Sequence, residues 1–305
     1  MERGVTTGER VAADPLTVSA GTPHRAMTAR ILEIADGAGH RAALVDATAG
    51  RVTGWPRFAR TVRAAARGLG RRGLAEADTA GVLVEDAASA AIAVNAVRAA
   101  GATACLISPG ASLADIAGRL NACGARLLMT SASLAGLAAE GADRSRVRQI
   151  ISFGEAAGTT PFGALLEAGR PGEHAAAGPG LVNGSAVVDQ PGRPEGNGLA
   201  DHDGRLTHRD VVVAAPPCGD GQAYVLWLDL TLLAGATLVA VPLPLVAAAM
   251  RTHKGTAAIV PRGTEVPGVP PQRLFPVALP GAGSPADWLL YGDSLRFAAR
   301  PSPAR

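Results

Sequence analysis

Between residues 80 and 153 four short apolar runs recur, separated by segments of helical length. They read A-G-V-L-V at 80–84, A-T-A-C-L-I-S at 102–108, A-R-L-L-M-T at 125–130 and V-R-Q-I-I-S-F at 147–153. Consecutive apolar positions suit strands buried on both faces. The stretches 86–100, 112–122 and 133–140 between them carry helical spacing, and Gly101 supplies a stop. Parallel neighbours require a crossover, and the crossover is right-handed. The pattern therefore dictates an α/β fold of mostly parallel sheets wrapped by helices.

The flanks extend this reading. Residues 24–37 predict a short amphipathic helix, 42–46 a strand, 47–51 a turn and 52–54 a second short strand. Trp55, Phe58, Val62, Ala65, Ala66 and Leu69 recur at helical spacing, with Gly70 and Gly73 as the stop. Residues 207–215 read as the start of a helix, 223–234 as a helix, and 237–241 and 257–261 as strands. The implied organisation is a loose tail at 1–23 and a first α/β subdomain at 24–167. A Gly/Pro-rich linker follows at 168–204, then a smaller α/β segment at 205–261 and a Pro/Gly-rich segment at 262–305, whose last residues show no clear periodicity.

Hydrophobic residues make up 48% and charged residues 18%, which excludes a disordered chain. Aromatics are only 3%, so the core must be built from Ala, Val and Leu. The net charge is +3. Its one local concentration, Arg63, Arg67, Arg71 and Arg72, reads as a solvated helix face; without aromatic platforms it does not predict nucleic-acid binding. Cys105, Cys123 and Cys218 form no C-x-x-C pair, which argues against a disulfide framework and against structural zinc. Reduced thiols in a cytoplasmic protein are the expectation. The tail lacks an apolar signal-peptide core. The most apolar stretch, 225–250, is interrupted by Asp229, Pro242 and Pro244, and predicts a buried helix and strand, not a membrane span.

The stretches W-P-R-F-A-R-T-V-R-A-A-A-R-G-L-G-R-R-G-L, A-D-T-A-G-V-L-V-E-D-A-A-S and V-R-A-A-G-A-T-A-C-L-I-S-P come in that order. N-A-C-G-A-R-L-L-M-T, V-R-Q-I-I-S-F-G-E and T-P-F-G-A-L-L follow. In order and spacing they resemble the opening of the adenylate-forming (AMP-binding) enzymes: acyl-CoA synthetases, aryl-CoA ligases and peptide-synthetase adenylation domains. The resemblance covers 40–166 and, more loosely, 181–261. It implies part of that family's large N-terminal domain.

Where the family carries its phosphate loop, S-S-G-T-T-G-x-P-K-G before x-x-L-T-H-R-N, this chain reads P-G-R-P-E-G-N-G-L-A-D-H-D-G-R and then L-T-H-R-D at 206–210. The resemblance makes Gly192, Gly196, Gly198, Gly204 and Thr207 the remnant of a phosphate-binding loop. The hydroxyl donors are gone, and Glu195, Asp201 and Asp203 would repel a polyphosphate. The resemblance also implies two catalytic lysines, yet the chain has one lysine, Lys254, in neither context. Y-G-D-S at 291–294 keeps two residues of the family's Y-G-x-T-E motif, and neither the hinge Asp nor the C-terminal catalytic domain is expected.

Other motifs read blandly. His208 sits beside a capping Thr207, D-H-D at 201–203 is a solvated turn, and Ser185 lies in no nucleophile elbow. No catalytic residue and no metal ligand is therefore assigned. The expectation is a catalytically impaired relative with no bound cofactor, partnering or scaffolding a complete synthetase or an acyl carrier protein. The alternative is an active ATP-dependent carboxylic acid–CoA ligase with unusual residues, which would need ATP, AMP and Mg. An unrelated nucleotide-binding α/β protein, or a decayed fragment, also remains open.

Overall fold

The computed structural model describes residues 23–169, 206–217, 221–261, 263–269, 274–277, 288–291 and 294–297. The N-terminal half runs helix α1 (Pro23–Gly37), strands β1 (Ala42–Asp46) and β2 (Arg51–Gly54), helix α2 (Trp55–Arg71), β3 (Thr79–Leu83), α3 (Ala87–Ala99) and β4 (Thr103–Ile107). It continues with α4 (Leu113–Ala122), β5 (Leu127–Ser131), a 3-10 turn (Ala132–Leu134), α5 (Ala135–Asp143), β6 (Gln149–Phe153), β7 (Thr160–Pro161) and α6 (Phe162–Ala168). Beyond residue 205 come β8 (Val211–Ala214), α7 (Gly221–Leu233), β9 (Thr237–Ala240), a 3-10 turn (Leu243–Leu245), α8 (Val246–Thr252) and β10 (Ala257–Pro261). Three further strands are β11 (Leu274–Val277), β12 (Trp288–Tyr291) and β13 (Ser294–Phe297).

Helix ends follow local chemistry. The Asp86 carboxylate accepts from the Ser89 amide at 2.7 Å to start α3, and the Ser112 hydroxyl accepts from the Asp115 amide at 3.2 Å to start α4. The chain leaves α2 and α3 through Gly73 (φ 88°) and Gly101 (φ 90°), a backbone region that glycine enters without a Cβ penalty.

Two sheets result. A five-stranded parallel sheet has the order β4-β3-β5-β6-β7; a six-stranded sheet has the order β11-β10-β8-β9-β1-β2, parallel except for the antiparallel β1–β2 pair. The α/β class and its parallel sheets are as the alternation required. The grouping of strands is not sequential: β1 pairs with β9, Leu44 opposite Leu238, so residues 24–167 contribute to both sheets.

Side chains alternate between two cores on every central strand. In β9, Leu238 and Ala240 enter the principal core, while Val239 and, just past the strand, Val241 face α8. In β5, Leu127 and Met129 enter the principal core, while Leu128 faces α4 and α5. Helices α3 and α7 touch strands of both sheets, so the layers run α8, six-stranded sheet, middle helices, five-stranded sheet, then α4 and α5. Two-sided burial is why the strands read as unbroken apolar runs. Within the middle layer α2 presses on α6: an added Cβ on Gly68 would lie 2.3 Å from the Leu165 carbonyl oxygen.

Three readings need correction. Residues 207–215 do not begin a helix; Val211–Ala214 is a buried strand bonded to β9 and β10, since three consecutive valines pack well on a sheet with two covered faces. The arginines of α2 are exposed or half-exposed, as a solvated face requires, but they are tied down and not free. Arg63 makes a two-pronged pair with Asp36 (2.8 and 2.6 Å), Arg67 donates to the Gly169 carbonyl at 2.7 Å, and Arg71 donates to the Ala168 carbonyl. Both carbonyls lie at the α6 terminus, where cations offset the helix dipole. Finally, Trp288–Tyr291 and Ser294–Phe297 pair as an antiparallel hairpin where no periodicity was legible. Among the described residues no helix is long and apolar enough to cross a membrane.

Candidate functional site

Of the loop residues singled out in the sequence, Gly192, Gly196, Gly198 and Gly204 lie outside the described residues. Thr207 is placed. It opens a tight turn, closed by the Asp210 amide donating to the Thr207 carbonyl at 3.0 Å. The Thr207 amide and hydroxyl both donate to the same Asp210 carboxylate oxygen, at 2.6 and 2.9 Å. The Arg209 amide donates to the Thr207 hydroxyl at 3.3 Å. Asp210 is 5% exposed, and its carbonyl accepts from Thr237, locking the turn to the start of β9. Arg41 braces the other side, its guanidinium donating to the carbonyls of His208 (2.8 Å) and Gly235 (3.0 Å). His208 is thus held by its backbone, in a turn and not in a helix cap.

Two consequences follow for anion chemistry. First, Thr207 presents no free donor, because both its hydrogens are spent on a carboxylate that would itself repel a phosphate. Second, the turn closes onto the start of β9 at the amino-terminal edge of the six-stranded sheet, with the Asp210 carboxylate buried beneath it. Lys254 sits at the same edge, just before β10. It is exposed, occupies the left-handed region at φ 53°, and follows the end of α8 as a helix-terminating residue.

At the carboxyl edges the described chemistry is structural. The Glu85 amide donates to the Ser131 hydroxyl at 3.0 Å, Ser133 donates to the Glu85 carboxylate, and the Tyr224 hydroxyl donates to the Ala215 carbonyl at 2.6 Å. Among the described residues no group of three or more His, Cys, Asp or Glu side chains could hold a metal ion. Cys105 and Cys123, read as reduced thiols, are free and act on each other: a hydrogen bond from Cys105 favours the thiolate of Cys123, whose pKa falls to about 7, while that of Cys105 is driven up. Cys218 lies outside the described residues.

Two features escaped sequence reasoning. Asp210 was legible as the fourth residue of T-x-x-D, a spacing that lets a carboxylate cap its own turn. Asp229 stood out only as an interruption of an apolar run, which should have signalled a buried partner. That partner, Arg98, is 131 positions away, and no local signal connects them.

Residues 31–182 match the family model described as AMP-binding enzyme. Solved structures agree in fold. MbtA of Mycobacterium smegmatis is 19% identical with a TM-score of 0.58, over 81% of this chain and 51% of that one. A long-chain-fatty-acid-CoA ligase of Archaeoglobus fulgidus is 17% identical with a TM-score of 0.57, over 76% and 50%. A benzoate CoA ligase of Burkholderia xenovorans is also 17% identical with a TM-score of 0.57, over 76% and 49%. The chain spans about half the length of these structures. No curated protein matches it in sequence.

Proposed function

On the premise that residues 31–182 make this chain a member of the AMP-binding enzyme family, we propose that it supplies the family's framework without the family's nucleotide chemistry. It is catalytically impaired and serves as partner or scaffold to a complete synthetase or an acyl carrier protein in acyl activation. No ATP, AMP or Mg is used. The single observation that carries this reading is the Thr207–Asp210 turn: both donors of the threonine are given to one carboxylate oxygen. In L-T-H-R-D, where the resemblance places the tail of a phosphate loop, the threonine that would meet a phosphoryl group is instead committed to a buried anion, Asp210. An exposed helix-end residue is the chain's one lysine, and guanidinium does not reproduce its ammonium as a compact point charge.

Pyrophosphate release tests the reading. The purified chain, given ATP, Mg and a panel of aliphatic and aromatic carboxylic acids, should release none above background. Acid-dependent release by the chain alone would overturn the impairment.

A further inference from the structure

The amino-terminal edge of the five-stranded sheet carries a concavity of about 340 Å3 that the resemblance does not use. Its wall is built by register. Arg126 and Arg148 immediately precede β5 and β6, and the Arg148 amide donates to the Arg126 carbonyl at 2.8 Å, which sets them side by side on neighbouring strands. Arg146 comes from the loop before β6, and Arg72 from the end of α2, where Gly73 turns the chain. Leu74 and Leu127, 6% and 4% exposed, line the apolar part.

Four guanidinium groups thus face one carboxylate, that of Asp78, which Arg126 approaches only at 3.8 Å while remaining 72% exposed. A helix-terminal role accounts for Arg72, which sits at the carbonyl end of α2. It does not account for Arg146 and Arg148, which donate side-chain hydrogen bonds to none of the described residues. Two lining atoms are buried and unpartnered: Nε of Arg72, a donor, and Oε1 of Gln149, an acceptor. Buried polar atoms are normally satisfied, so each calls for a partner from outside the chain. Guanidinium forks match phosphoryl oxygens in number and geometry.

We propose that this concavity binds a phosphate-bearing small molecule. The arginines grip the phosphoryl oxygens, and Gln149 accepts from a hydroxyl or N–H of the ester. The site lies on the other sheet from Thr207 and Asp210, so it stands or falls apart from the functional reading above.

Calorimetric titration of the full chain with glycerol 3-phosphate, pyrophosphate and malonate tests it. Saturable binding of glycerol 3-phosphate, tighter than malonate, is expected. Combined Arg126→Gln and Arg148→Gln should weaken it by roughly tenfold or more. Gln149→Leu should weaken glycerol 3-phosphate and leave pyrophosphate unchanged. Arg251→Gln, on α8 beyond the other sheet, should change neither. Thermal melts matching the parent exclude misfolding. Absence of saturable binding, malonate binding as tightly, or equal loss in Arg251→Gln would overturn the site. Pyrophosphate binding without glycerol 3-phosphate binding would overturn the ester and leave a free inorganic anion as the occupant.

Discussion

Arg98 of α3 and Asp229 of α7 form an ion pair at 2.6 Å between helices that touch both sheets, with their side chains only 6% and 1% exposed. The second carboxylate oxygen of Asp229 has no protein partner. Burial pushes the Asp229 carboxyl up, against the pull of Arg98. A charge in this position is held by its partner and little else. Removing Asp229 alone takes the paired carboxylate away from a buried guanidinium, so Asp229→Ala should cost about 3–5 kcal/mol. Arg98→Met combined with Asp229→Leu should recover most of that loss. Urea unfolding of the three proteins measures it; an additive double variant would show that the pair is not coupled.

Acid should act through Asp36 at the α1–α2 contact. Hydrogen bonds from Arg63 hold its carboxyl below the ordinary value of 3.8, outweighing its partial burial. A lowered folded pKa contributes stability that is present above 3.8 and is lost as pH falls through the folded value. Asp36→Asn should therefore lower the melting temperature slightly at neutral pH and flatten its decline in acid. The effect is small because the pair is half exposed to solvent. Parallel acid limbs for parent and variant would count against the pair.

Thiol chemistry should be unequal. With Cys123 lowered to about 7 and Cys105 raised, iodoacetamide should label Cys123 first, with a rate midpoint about pH 7 by peptide mapping. The Cys105 hydrogen bond is the largest cause, so Cys105→Ala should move that midpoint up toward 9.0. An unmoved midpoint would assign the shift to the helix end instead.

Close packing of α2 against α6 leaves no room at Gly169, where an added Cβ would stand 1.8 Å from the Ala64 carbonyl oxygen. Neither backbone can yield without breaking the Arg67 and Arg71 contacts. Gly169→Ala should cost about 1–3 kcal/mol or more, read as a lowered urea midpoint. Gly70→Ala, where nothing lies within 4 Å, should cost nothing and tends to favour the helix.

Lys254 holds a left-handed conformation that glycine adopts freely. Lys254→Gly should raise stability by about 1 kcal/mol or less. The proposed function also requires that the chain release no pyrophosphate before or after losing its one lysine. A lower melting temperature in this variant would point to a role for the lysine beyond ending α8.

The alternation of apolar runs and helical segments determined the α/β class, the parallel strands and nearly every element boundary up to the end of β6, because period and turn chemistry are local. It also determined that the remnant loop is poor in phosphate donors, since residue types need no coordinates. Sheet membership was decided by tertiary structure alone: β1 joins β9 across nearly two hundred residues because its two apolar faces need the cover that α8 and the middle helices provide. The same holds for the fate of Val211–Ala214. Its flanking T-H-R-D suggested a helix, but Asp210 took the cap donors and two neighbouring strands took the backbone. Arg98 found Asp229, and four arginines found one another, only through strand register, because charge partners are set by distance in space and sequence records only order.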